Sequence, residues 1–173
     1  MAFTPEDDTG LIDANSYADV AFADAYFSER GIDTWTGSAS EKQQALVKGT
    51  DYIESRFGGE FGGIIEFPET PQALAFPRLR LYDQNDLAVS GVPTKLKQAT
   101  CEYALRSMSA VLLADPAIDK SGSGVRSRKK KTGPLSEEVV YSSSSGAVSL
   151  PEYPAADNMI KFYLQSQDGE VIR

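Results

Sequence analysis

Histidine is missing altogether from this 173-residue chain, and cysteine occurs once, as Cys101. Without an imidazole there is no Ser–His or Cys–His nucleophilic pair. The commonest general base and the commonest zinc ligand are gone as well. One thiol makes neither an intrachain disulfide nor a multi-cysteine metal site. Cys101 lies in an apolar helical pattern, where a lone thiol acts as a small core residue. No run approaches the roughly 20 apolar residues that span a bilayer. The first residues, "MAFTPEDDTG", are acidic and lack the basic and apolar regions of a secretory signal. The sequence alone thus predicts a soluble chain made in a cytoplasm, with no membrane partner.

Hydrophobic residues make up 41% of the chain and aromatics 10%, enough to build a core. The length suits one compact domain with an appendage. Charge is unevenly spread within a formal total of -8. Residues 1–120 carry 10 Lys/Arg against 19 Asp/Glu, a net of -9, and residues 121–173 carry 7 against 6, a net of +1. The body repels a polyanion at long range, and only the later segment attracts one.

After an irregular acidic lead-in over 1–15, "SYADVAFADAYFSERG" reads as a helix. Asp19 or Ser16 is its cap and Gly31 its left-handed stop. Phe22, Tyr26 and Arg30 share one face, with Ala23 and Phe27 beside it. Trp35, in the loop that follows, reads as an anchor on the core. "SEKQQALVKGTDYIESRFGG" is the clearest second helix, with Ser40 and Gln43 as a capping box and Gly58 as its end. Ala45, Leu46, Tyr52, Ile53 and Phe57 form its apolar stripe. A Gly/Pro-rich connection follows, in which "ALAFPRLRLYD" holds a short extended segment and Pro77 restricts Phe76. The longest helix is expected in "PTKLKQATCEYALRSMSAVLLADP", capped by Thr94 and stopped by Pro116. Leu96, Cys101, Tyr103, Leu105, Met108 and Leu112 cover more than one face of it, as in a central buried helix. "SGSG" at 121–124 is a hinge. Two short extended runs about "TGP" predict a β-hairpin, and "SSSSG" begins a low-complexity loop. "AADNMIKFYLQ" predicts a short C-terminal helix.

Two motifs are excluded on their chemistry. "FGGEFGG" lacks the Gly-Lys-Ser/Thr of a phosphate loop and the spacing of a dinucleotide fingerprint, and reads as a mobile turn. "DQNDLAVSG" puts Asp83 and Asn85 at calcium-ligand positions. Leu87 then fills the fifth position, Ala88 the obligatory glycine, and no glutamate closes the loop. Carboxylates are plentiful, but no spacing singles out an acid/base pair. No catalytic residue, metal ligand or cofactor site is predicted, and the chain is not expected to be an enzyme.

One feature stands against the acidic background. Arg126, Arg128, Lys129, Lys130 and Lys131 put five cations within six residues. Such a run grips phosphates without reading sequence, docks on an acidic protein surface, or forms a solvated ribbon. No aromatics are interleaved, so base stacking of the kind used by single-strand binders is unsupported there.

Taken in order, "SYADVAFADAYFSERG", Trp35, "SEKQQALVKGTDYIES", "QALAFPRLRLYD", "VPTKLKQATCEYAL", "KKKTGPLSEEVVYS" and "YPAADNMIKFYL" resemble tailed-phage proteins. The family is often labelled DnaT-like single-stranded-DNA-binding, and its members are similar to head-tail connector, or adaptor and head-completion, proteins. The resemblance spans roughly residues 16–173. It implies a mainly α fold: a small helical bundle with a β-hairpin excursion and an extended C-terminal arm. The expected divisions are a lead-in (1–15), a bundle (16–120), a hinge with hairpin and loop (121–154) and a short helix with arm (155–173). It further implies a structural virion protein at the head–tail interface of a bacteriophage. There, a closed ring of about twelve copies sits under the portal protein, extends the DNA channel for ejection and joins the tail. Its partners would be portal, neighbouring copies, a tail or next connector protein, and genomic DNA passing without sequence specificity. The five basic residues are the candidate contacts to a neighbour, portal or DNA. Met159, Ile160, Phe162, Tyr163 and Leu164 are the candidate C-terminal anchor into a partner groove. The alternative is a single-stranded-DNA-binding accessory protein in phage replication or packaging.

Overall fold

The computed structural model describes residues 2–69, 71–83, 85–113, 125–131, 136–141 and 152–164. The protein is mainly helical, as expected. Asp19 accepts a hydrogen bond from the Phe22 N–H at 2.7 Å and starts α1, Val20–Ser28. Gly31 takes a φ of +63° just beyond its end, which lets Ile32 N–H reach back to Phe27 O. α1 buries Ala23, Tyr26 and Phe27.

α2 spans Ala39–Phe57, and its cap, Ser38, stands two residues before the expected Ser40. The box is Ser38 with Glu41 instead. Ser38 N–H donates to Glu41 Oε2 at 2.7 Å, and Glu41 N–H donates to Ser38 Oγ at 3.3 Å. A carboxylate at a helix N-terminus is favoured by the helix dipole and by charge-assisted bonds, advantages a neutral Gln43 amide lacks. The same bonds, from the Ser38 backbone first, hold the Glu41 carboxyl below its usual range.

α3 spans Thr94–Ser107, with Pro93 at the cap and no side-chain cap bond, so Thr94 is the first helical residue and not the cap. The expected continuation to Pro116 does not occur. Ser107 Oγ donates to Ala104 O at 2.7 Å and Ser109 Oγ to Arg106 O at 3.2 Å, competing for the carbonyls of the last turn. Leu112 is buried beyond the helix, whereas Met108 and Val111 are exposed. α2 and α3 pack closely because Gly49 lies at their contact. A Cβ there would meet Thr100 O at 2.8 Å and Ala104 N at 3.0 Å.

The core of the bundle gathers Ala18, Ala23, Tyr26, Phe27, Trp35, Ala45, Leu46, Cys101 and Ala104. Trp35 stacks near Phe27 (centroids 4.9 Å) and donates its indole N–H to Asp24 at 2.7 Å, so it is the core anchor expected. Burial pushes the Cys101 thiol far up, which suits a packing role.

Two short strands, β1 (Ile64–Ile65) and β2 (Arg78–Leu79), pair antiparallel, with Ile64 opposite Leu79. The Phe76–Pro77 peptide beside them is cis. α4, Pro154–Ile160, begins on a proline, continues as a 3-10 turn over Lys161–Tyr163, and packs on α3. Residues 1–112 and 152–173 form one compact unit. Residues 113–151 form a second, which contains β3 (Val125–Lys131) antiparallel to β4 (Ser136–Tyr141). This is the predicted hairpin. The "SGSG" hinge, the "TGP" turn, the "SSSSG" loop, Pro116 and the arm beyond Leu164 lie outside the described residues. No helix among the described residues is long and apolar enough to cross a membrane.

Candidate functional site

All five basic candidates fall on β3. Its register sets Lys129 opposite Glu138, Lys130 opposite Glu137, Lys131 opposite Ser136 and Arg128 opposite Val139. The pairing shifts between Val125 and Ser127, which brackets Arg126. Opposite charges at facing positions of an antiparallel pair stabilise it by roughly 0.2–1 kcal/mol per pair. The strand pair therefore carries five cations against two glutamates, a net of +3.

The C-terminal candidates are divided. Ile160 is fully buried and helps seat α4, whereas Phe162 is 47% exposed. Met159, Tyr163 and Leu164 are half-buried. Leu164 bridges Phe61, and Tyr163 O accepts from Gly62 N–H at 2.8 Å. This stretch packs on its own bundle and leaves one ring outward.

What fastens it is a cluster that periodicity does not reveal. Asp157 on α4 accepts from the Tyr103 hydroxyl and from Tyr153 N–H, and pairs with Arg56 at 3.1 Å. Arg56 also donates to the Tyr52 hydroxyl at 2.6 Å. The rings of Tyr52, Tyr103 and Tyr153 close around one another at 4.7–6.0 Å. Burial, and then the bond to Asp157, pushes the Tyr103 hydroxyl far above its ordinary value. The group is a structural lock between α2, α3 and α4.

A second lock gathers the turn "FGGEFGG". The Arg78 guanidinium donates to the carbonyls of Phe61, Gly62, Gly63 and Ala75 at 2.6–3.2 Å. It thereby satisfies the backbone of the glycine-rich turn. Nearby, Glu54 accepts from the Tyr17 hydroxyl and from Ala75 N–H. Burial raises the Glu54 carboxyl above its usual range, and burial raises the Tyr17 hydroxyl well above its own, with the Glu54 charge adding to it. Asp83 is likewise structural: its Oδ1 accepts from Asn85 N–H at 2.8 Å and Leu87 N–H at 3.0 Å, closing a turn.

The docked α4 leaves an open cleft of about 380 Å³ lined by Asp83, Lys95, Asn158, Met159, Phe162 and Tyr163. Residues from three separate segments meet there, a juxtaposition with no signal in spacing. A larger groove of about 720 Å³ runs along α2 and the end of α3, past Glu41, Lys48 and Met108. No group of three or more metal-ligating side chains occurs among the described residues.

Among known protein families, the one described as "Putative DnaT-like ssDNA binding protein" matches the chain over residues 1–173. No curated protein and no solved structure matches it.

Proposed function

The chain belongs to this DnaT-like family, and from that premise we propose that it holds single-stranded DNA without reading its sequence, as an accessory protein in phage replication or packaging. The observation that carries the reading is the collection of all five clustered cations on one strand, β3. Phosphate neutralisation is sequence-independent and strongly salt-dependent. Repulsion from the acidic body fades beyond a Debye length of about 8 Å at physiological ionic strength, so a local basic strand still attracts a polyanion. Because two glutamates face the strand, about three phosphates are neutralised, and log K falls with log salt at a slope of about -2 for a single strand. The test is fluorescence anisotropy of a labelled thymidine oligonucleotide at rising salt, with the five residues changed to glutamine as the comparison. Binding whose salt slope falls by about 2 in the variant supports the reading. No binding at low salt overturns it.

A second reading, the head-tail connector with portal, neighbouring copies and tail as partners, is favoured by a different observation. The Lys129–Glu138 and Lys130–Glu137 register mixes both signs on one ribbon, which suits a protein surface of mixed charge better than a phosphate chain. On this reading the acidic body keeps passing DNA from sticking to a channel wall. Light scattering of the purified protein alone and with its cognate portal tests it. A discrete stoichiometric complex supports the connector, and indifference to portal removes it.

A further inference from the structure

We infer that the cleft beside α4 is a nucleobase-stacking site, with Phe162 as the platform and Lys95 and Lys161 as phosphate contacts. The inference rests on the single-strand reading and extends it from β3 to the helical unit.

Single-strand binders combine exposed aromatic rings with nearby cations, and β3 supplies only the cations. The bundle supplies both. Phe162 stands 47% exposed on the 3-10 turn, beside an exposed Lys161 and a half-buried Tyr163. Lys161 Nζ lies 5.2 Å from its ring centroid and is held toward it by Asn158 Oδ1 at 3.1 Å. Lys95, at the exposed start of α3, lines the same cleft, with no ion pair or hydrogen bond among the described residues. The one carboxylate in the lining, Asp83, already accepts two backbone N–H groups. The volume, about 380 Å³, falls in the range of small-molecule sites, about 300–1,000 Å³. The Asn158 amide and the free side of Asp83 provide polar groups for a base edge without demanding one base.

The experiment uses the full chain and a thymidine oligonucleotide. Phe162→Trp places a second tryptophan in a protein whose single native one, Trp35, is buried. Stacking is expected to quench the new fluorescence on titration. Phe162→Ala is expected to weaken binding about tenfold, since base–aromatic stacking contributes roughly 1–3 kcal/mol per base. Lys95→Gln should lower the salt slope by about 0.7. Both side chains are on the surface, and thermal melts confirm that the variants fold. If the chain binds the oligonucleotide but Phe162→Trp shows no quenching and Phe162→Ala binds normally, the stacking site is wrong and the single-strand reading stands. If no variant and no wild type binds, the single-strand reading falls and this site with it.

Discussion

At the residue scale, buried polar groups organise this protein more than any candidate for chemistry does. Glu54 is the clearest case. It is desolvated, yet it joins Tyr17, just ahead of α1, to Ala75 in the long connection. A carboxyl whose folded value is raised binds its proton more tightly in the folded than in the unfolded state. Its contribution to stability is therefore greatest at low pH. It declines as pH rises from the ordinary glutamate value, about 4.3, through the raised folded value. Glu54→Gln keeps an acceptor for both donors and removes the titration. Urea melts at several pH values should show the wild type losing stability relative to Glu54→Gln across that window. A constant difference between the two would refute the account. Arg78 has the opposite character: a charge that never titrates in the accessible range, its guanidinium donating to four carbonyls that a lysine's point charge cannot bridge together.

At the scale of elements, the close crossing of α2 and α3 depends on Gly49. Gly49→Ala raises intrinsic helix propensity, but its new methyl meets backbone atoms of α3, which cannot rotate away. The clash should win, costing about 1–3 kcal/mol as other overpacked sites do. A denaturant midpoint that rises would show that the helices shift apart freely. The hairpin offers a charge experiment. Lys129→Glu with Lys130→Glu sets like charges opposite Glu138 and Glu137, and should speed amide exchange across β3 and β4. Adding Glu137→Lys and Glu138→Lys restores opposite signs and should restore protection. If the four-residue swap exchanges as fast as the double variant, facing charge does not stabilise this ribbon.

At the scale of the whole molecule, the division into two compact units has a direct consequence. The unit of residues 1–112 and 152–173 contains α1 to α4, both side-chain locks and the cleft at Phe162. Replacing residues 113–151 by a flexible Gly/Ser linker should therefore leave a cooperatively unfolding protein with Trp35 still buried. Calorimetry and the tryptophan emission maximum check this, and a broad non-cooperative melt would contradict it. The same protein separates two sources of DNA affinity: binding carried by β3 disappears with the excision, and binding carried by Phe162 survives it.

The amino-acid sequence by itself determined that the chain has no histidine and a single cysteine, the order of its helices and the position of its hairpin. Those features follow from composition and from local signals: Asp19 as a cap, Gly31 as a stop, the stripe from Ala45 to Phe57, and two extended runs about "TGP". Local signals failed where two residues offered the same service. Ser38 and Ser40 both stand at the start of the α2 segment, and only the reach of the Glu41 carboxylate chose Ser38 as the cap. They failed also where side chains ended an element, as Ser107 and Ser109 do for α3. Tertiary structure alone decided that Asp157 meets Tyr103 and Arg56, that Arg78 gathers the glycine-rich turn, and that Lys95 shares a cleft with Phe162. Asp157 and Phe162 reach their partners because α4 packs on α3, and Arg78 reaches the turn because β2 pairs with β1, contacts that no local period announces.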